Sequence, residues 1–198
     1  MVQSVGTEPS EEPTGARDPA GTGRDPSTPV PPRSPMAILT SLRPRQWVKN
    51  LLVFVAPAAA GHLGHASTVA HAIAAFGVFV AVASGMYLIN DVLDIEADRV
   101  HPEKCNRPVA AGLITITQAL SVGAALVAAG LAATWFIAGW HFLVVMALYV
   151  VISGCYSLWV KYVAVVELAS VASGFVLRAI AGGIATGVPL SDWFLAVT

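Results

Sequence analysis

Charge is what this sequence has least of. Only 12% of its 198 residues are Asp, Glu, Lys or Arg, against about a quarter in an ordinary globular protein. With 56% hydrophobic residues and a mean hydropathy of +0.69, the composition is that of a membrane protein. A basic surplus is also missing: the net charge is -1, which leaves no electrostatic footprint for nucleic acid. Cysteine is scarce. Cys105 and Cys155 have no partner at metal-ligand spacing and form no secreted disulfide pattern, so they read as free thiols. The first residues lack the basic start and apolar core of a secretory signal peptide.

What charge there is sits unevenly. Residues 1–36 are rich in Pro, Gly, Ser, Thr and acid and offer almost nothing to bury, so a disordered cytoplasmic tail is expected there. Residues 37–198 are expected to form a transmembrane domain. The apolar runs reach spanning length, about 20 residues for a core of roughly 30 Å. They lie near Trp47–Leu63, Val69–Ile89, Leu113–Phe136, Phe142–Trp159 and Tyr162–Ile184, and "SDWFLAVT" looks like the lip of a sixth. Arg43, Arg45 and Lys49 precede the first span, Arg99, Lys104 and Arg107 follow the second, and Lys161 separates the fourth from the fifth. The opposite connections carry no Lys or Arg, so the basic side is expected to be cytoplasmic. His62, His65 and His71 read as polar loop residues, with metal ligation the weaker alternative. A chain that stops inside a span is expected to be the N-terminal part of a larger bundle.

Of the seven acids beyond the tail, five fall between Asp91 and Glu103, directly after the cleanest apolar run. An ionised Asp in a bilayer costs about 2.5–3.5 kcal/mol at a helix centre, so this cluster needs water, protein or a cation. If the second span continues as helix, the turn of about 100° per residue puts Asn90, Asp94 and Asp98 at roughly 0°, 40° and 80°, with Asp91 at roughly 100°. Glu96 falls at roughly 240°, away from that sector. Oxygen ligands stacked on one face suit Mg²⁺, which takes one or two carboxylates together with waters and substrate phosphates, and imply a diphosphate-bearing substrate. His101, Lys104 and Arg107 lie just beyond, and Pro102 and Pro108 break the helix into a loop able to fold back over the acids. A solvated loop whose acids and bases pair with each other is the structural alternative. A cation transporter using the same carboxylates is another, although transporters place ligands near the bilayer midplane, not at a helix end.

The stretch "NDVLDIEADRVHPEKCNRPVAAG" resembles the NDxxDxxxD motif and trailing NRP signature of the UbiA superfamily of intramembrane prenyltransferases. "LRPRQWVKNLLVFVAP" and "SGFVLRAIAGG" resemble a cell-wall branch of it, whose donor is 5-phosphoribosyl-1-diphosphate and whose acceptor is a polyprenyl (decaprenyl) phosphate of arabinan precursor synthesis. The resemblance covers Ile38–Thr198 and implies an all-α, multi-pass bundle of nine helices in the plasma membrane, about five and a half of them present. Aromatic prenyltransferases of the superfamily carry a second motif, DxxxD, after a tyrosine and a lysine. Here Tyr156 and Lys161 match, Glu167 stands for the first acid, and Val171 occupies the position of the second. That departure favours phosphoribosyl over prenyl transfer, which stays as the alternative.

The resemblance implies Mg²⁺ held by Asn90, Asp91, Asp94 and Asp98, with Asp94, Asp98 and Lys161 catalytic. Lys49, Lys104, Arg107 and Lys161 would stabilise charge on the leaving pyrophosphate. Tyr156 and Glu167 join the substrate-binding set. Arg178 shares a helical stripe with Glu167, Ser170 and Gly174, and is open between a structural partner and a contact to phosphate. Arg43, Arg45, Gln46, Lys49 and Asn50 are open between a positive-inside anchor and a phosphate site, with Lys49 and Asn50 the choices if they bind. Homo-oligomerisation stays open.

Overall fold

A computed structural model describes residues 35–160 and 164–190, without the side chains of 159, 160 and 164–167. Residues 1–34 of the expected tail, the "SDWFLAVT" stretch and Lys161 lie outside the described residues, while Pro35 and Met36, expected to end the disordered tail, begin a helix. The elements in chain order are α1 (Pro35–Ser41), a 3₁₀ segment (Pro44–Phe54), α2 (Val55–Ala59), α3 (Ala66–Leu93), α4 (Ile95–Val100), α5 (Ile116–Cys155) and α6 (Ala164–Thr186), with short 3₁₀ turns at His62–Gly64 and Lys104–Asn106 and a π turn at Tyr156–Val160. Among the described residues there is no strand.

Among the described residues, three helices are long and apolar enough to cross a membrane: Ala66–Leu93, Ile116–Leu158 and Leu168–Thr186. The middle one reverses. Ala138 (φ −147°, ψ 21°) and Gly139 (φ 65°, ψ −151°) leave the helical region, and the positive φ is one that glycine adopts without a Cβ clash. Gly123, before the break, packs on Gly85 and Ile89 of α3; Gly154, after it, packs on Met86. A straight helix would separate Gly123 from Gly154 by roughly 46 Å at 1.5 Å per residue, so the chain turns back at Gly139. The two halves, 116–137 and 140–155, are the expected third and fourth spans. Thr115 starts the first half with a capping box: its hydroxyl accepts from the Gln118 amide at 3.2 Å and the Gln118 side chain accepts from the Thr115 amide at 3.2 Å.

The expected first span differs. Trp47–Leu63 is no long α-helix but a 3₁₀ segment, a short α-helix and a turn. Arg43 turns the chain in with a left-handed backbone (φ 53°), and Pro44 begins the segment with its φ preset. The tighter winding is fixed from outside, because Gly182 of α6 lets the helix backbone touch the carbonyl of Val53, where any Cβ would collide.

Phe79, Val82, Phe142, Met146, Tyr149, Leu177 and Val53 form the main core, joining α3, the second half of α5, α6 and the 3₁₀ segment. Leu88, Val109, Ile114, Ala119 and Ala37 form a second cluster where α3 meets the loop before α5. Trp135, Phe136, Trp140, Leu148 and Val151 remain exposed, as expected of an apolar surface that faces lipid.

Candidate active-site cleft

The end of α3 divides the acidic motif in two. Asp91 and Asp98, each 2% exposed, turn to arginines. Arg43 donates to Asp91 Oδ1, and Arg107 Nη1 bridges Asp91 Oδ1 at 3.3 Å and Asp98 Oδ2 at 2.7 Å. The Arg43 guanidinium also covers the Tyr87 ring at 4.9 Å. Its approach is fixed locally: Trp47 Nε1 donates to the Leu42 carbonyl and to Ser84 Oγ, both at 3.1 Å, while Ser84 Oγ donates to the same carbonyl at 3.0 Å. The network thus ties the chain before the first segment to α3, α4 and the loop that follows.

This arrangement departs from the single sector drawn on an ideal helix. The helix is interrupted at Asp94 (φ −96°, ψ 6°), which caps α3 and precedes α4. Asp91, about 100° round from Asn90, meets Arg43 instead of sharing the Asn90 face. Asp98 meets Arg107, expected from the sequence to await phosphate. For these two acids the pairing alternative is realised. Glu96 is exposed and bonds Arg99 at 3.2 Å.

Asn90 is different. It lines a cleft with Met86, Tyr87, Tyr149, Ser153, Tyr156 and Ser170, and its Oδ1 is buried without a hydrogen-bond partner. Buried acceptors in proteins are almost always satisfied, so this oxygen marks a place where something else binds. Asp94, half-buried, stands one turn further on, with its amide bonded to the Asn90 carbonyl at 2.9 Å. The cleft continues past Tyr87, Tyr149, Ser153 and Ser170 to Lys49, Phe175 and Arg178. Lys49 is exposed and Arg178 buried, so the two cations close the far end from outside and inside.

Among the described residues no group of three or more His, Cys, Asp or Glu is gathered for a metal. The unpartnered Asn90 oxygen and the Asp94 carboxylate nevertheless fit Mg²⁺, which commonly takes one or two protein oxygens and completes its shell with water and substrate phosphate.

The other expected residues scatter. Tyr156 lines the cleft, whereas Lys104 sits exposed on its 3₁₀ turn and is not among the lining residues. Asn50, with Lys49 the choice if the basic cluster binds phosphate, is buried and accepts from Arg178 Nε at 2.8 Å. Glu167 begins α6, but its side chain lies outside the described residues. Tyr87, Tyr149 and Ser153 escaped the sequence reading as site residues, and Arg43, left open there between anchor and phosphate site, pairs with Asp91. The one signal for Tyr149 was a phenol inside an aliphatic run, "FLVVMALYVV".

The UbiA prenyltransferase family matches residues 50–198. Decaprenyl-phosphate phosphoribosyltransferase of Mycolicibacterium smegmatis is 44% identical over 172 residues, covering 84% of this chain and 54% of that protein. The protein of the same name from Corynebacterium glutamicum is 42% identical over 163 residues, covering 81% and 49%. Nodulation protein NoeC of Azorhizobium caulinodans is 31% identical over 161 residues, covering 81% and 52%. The chain spans about half the length of these relatives. The match runs through the 3₁₀ segment, α3, α5 and α6, the elements that line the cleft, and the chain belongs to the UbiA prenyltransferase family of multi-pass helical membrane proteins.

Proposed function

We propose that this chain belongs to a plasma-membrane phosphoribosyltransferase, moving 5-phosphoribose from 5-phosphoribosyl-1-diphosphate to a polyprenyl phosphate such as decaprenyl phosphate. The observation that carries the reading is the 44% identity to a relative of that name across most of the chain. The cleft supports it: an unpartnered oxygen stands at one end and two cations at the other, the polarity that a diphosphate on one side and a second phosphate on the other require.

In the proposed reaction a phosphate oxygen of the lipid attacks C1 of the ribose. The bond from C1 to the pyrophosphate oxygen breaks, and pyrophosphate leaves with its electron pair. A phosphate monoester is already a nucleophile, so no strong general base is required. Asn90 and Asp94 would hold Mg²⁺, which when bound neutralises charge on the diphosphate. Tyr156 and Tyr87 wall the cleft and limit water access to the ribose carbon. Asp91 and Asp98, paired with Arg43 and Arg107, hold the end of α3 and the loop beyond it in register. The cleft mouth and the preceding tail face the cytoplasm, where the soluble donor is found, and the isoprenoid stays among helices or lipid.

Membranes carrying the full-length protein should transfer label from phosphoribosyl diphosphate to polyprenyl phosphate. Transfer from a labelled prenyl diphosphate, with none from phosphoribosyl diphosphate, overturns the reading.

A further inference from the structure

Among the described residues, Arg178 is a cation with no anionic partner. It is 6% exposed, in the middle of α6. Its Nε donates to Asn50 Oδ1 at 2.8 Å, its Nη1 to the Gly174 carbonyl at 2.7 Å and its Nη2 to the Tyr149 hydroxyl at 3.2 Å. The guanidinium faces the Phe79 and Tyr149 rings at 5.6 and 5.1 Å. All of these partners are neutral. Among the described residues no carboxylate comes within ion-pair distance of Arg178, while Arg43 and Arg107 both reach Asp91.

A guanidinium has five N–H donors in a rigid fork, so two remain after the three bonds above. Burying a charge without a counter-charge is costly, and neutral acceptors fix its direction without neutralising it. Space is reserved around it as well: a Cβ on Gly174 would come within 3.0 Å of Nη1. The residue lines the cleft beside Lys49, with Tyr87, Ser153 and Ser170 along the same wall.

We propose that Arg178 and Lys49 form a subsite for a dianionic phosphate monoester, at the end of the cleft away from Asn90. Asn50 and Tyr149 are positioning residues that aim the guanidinium. The inference rests on reading the cleft as a site for phosphorylated substrates, and deepens that reading. Two sources supply this chemistry, the 5-phosphate of phosphoribosyl diphosphate and the headgroup of polyprenyl phosphate. A planar fork grips phosphate through paired bonds that an ammonium cannot reproduce, so Arg178→Lys is informative.

The test uses the full-length protein with Lys49→Gln, Arg178→Lys and Asn50→Ala. KM is measured for each substrate with the other saturating, and thermal stabilisation by polyprenyl phosphate is compared with that by the matching polyprenol. In Arg178→Lys and Lys49→Gln, KM for one substrate should rise about tenfold or more while kcat changes less than about threefold, the pattern of a lost binding contact. A rise for phosphoribosyl diphosphate assigns the subsite to the donor's 5-phosphate; a rise for polyprenyl phosphate assigns it to the lipid headgroup. Asn50→Ala should raise the same KM by less. Lys49 is exposed, so Lys49→Gln carries the test even if the Arg178 variant fails to fold. Active variants of both cations with both KM values within about twofold of wild type overturn the proposal. The parent reading can fail separately: if the wild type moves no phosphoribose, yet polyprenyl phosphate stabilises it more than polyprenol and Lys49→Gln removes that difference, the subsite stands and the proposed reaction does not.

Discussion

Arg107 and Arg178 meet the same problem, a guanidinium withdrawn from water, in opposite ways. At the end of α3, Arg107 bridges Asp91 and Asp98 and shares Asp91 with Arg43, so charge is matched inside the protein. In the middle of α6, Arg178 has an amide, a carbonyl, a phenol and two ring faces, so three of its five N–H donors are met, and among the described residues no carboxylate matches its charge. Matched charge fixes geometry and leaves nothing over for a ligand. Unmatched charge keeps its attraction for a group from outside. The same contrast separates neighbours in the acidic motif, where Asp91 is paired and Asn90, one position earlier, holds an unpartnered oxygen towards the cleft.

The largest effect should come from breaking the matched region. Asp91→Ala leaves Arg43 and part of Arg107 without a counter-charge and should cost about 3–5 kcal/mol, read as a collapse of the thermal unfolding midpoint of the intact protein in detergent. Near-wild-type melting of that variant would show the network to be dispensable and erase the contrast. Asn90→Ala should do the reverse. It deletes a buried oxygen that has no partner, so melting should hold, while kcat/KM falls about a hundredfold as an oriented ligand for the diphosphate charge is lost. A variant that loses stability and keeps its turnover would place Asn90 on the structural side.

Gly182→Ala tests the tertiary origin of the 3₁₀ segment. Its Cβ collides with the Val53 carbonyl, and the overpacking should cost about 1–3 kcal/mol in thermal unfolding. An unchanged midpoint would mean that α6 does not hold the segment in place. The smallest effect belongs to the exposed pair. Arg99→Ala, which removes the bond to Glu96, should shift stability by less than about 0.5 kcal/mol and leave turnover unchanged. A larger loss would extend the matched network to residues that look solvated.

The long apolar runs were legible because the bilayer imposes one rule on every span: about 20 residues without charge. That rule found α3, α6 and both halves of α5, and the polar break between those halves lies at the reversal at Gly139. It misread the segment after Trp47, because hydropathy counts apolar residues and is blind to winding. Pro44 and the backbone approach at Gly182 set the winding. For the site, periodicity put Asn90, Asp91, Asp94 and Asp98 in one sector at a helix end, whereas the structure turns Asp91 and Asp98 to arginines and Asn90 to the cleft. It had no means of sorting them, since the arginines that claim Asp91 and Asp98 lie 48 and 9 positions away in sequence. Asn50 and Arg178, 128 positions apart, each looked available for phosphate, and only their 2.8 Å contact reveals that one positions the other.

The sequence by itself determined the solvent, the class of fold and the neighbourhood of the chemistry, because composition, span length and a local motif act over short stretches of chain. Only the tertiary structure decided which charges cancel and which stay open. Cancellation depends on distances of a few ångströms between residues that the chain keeps far apart: folding alone brings Arg43 to Asp91 and Arg178 to the neutral Asn50.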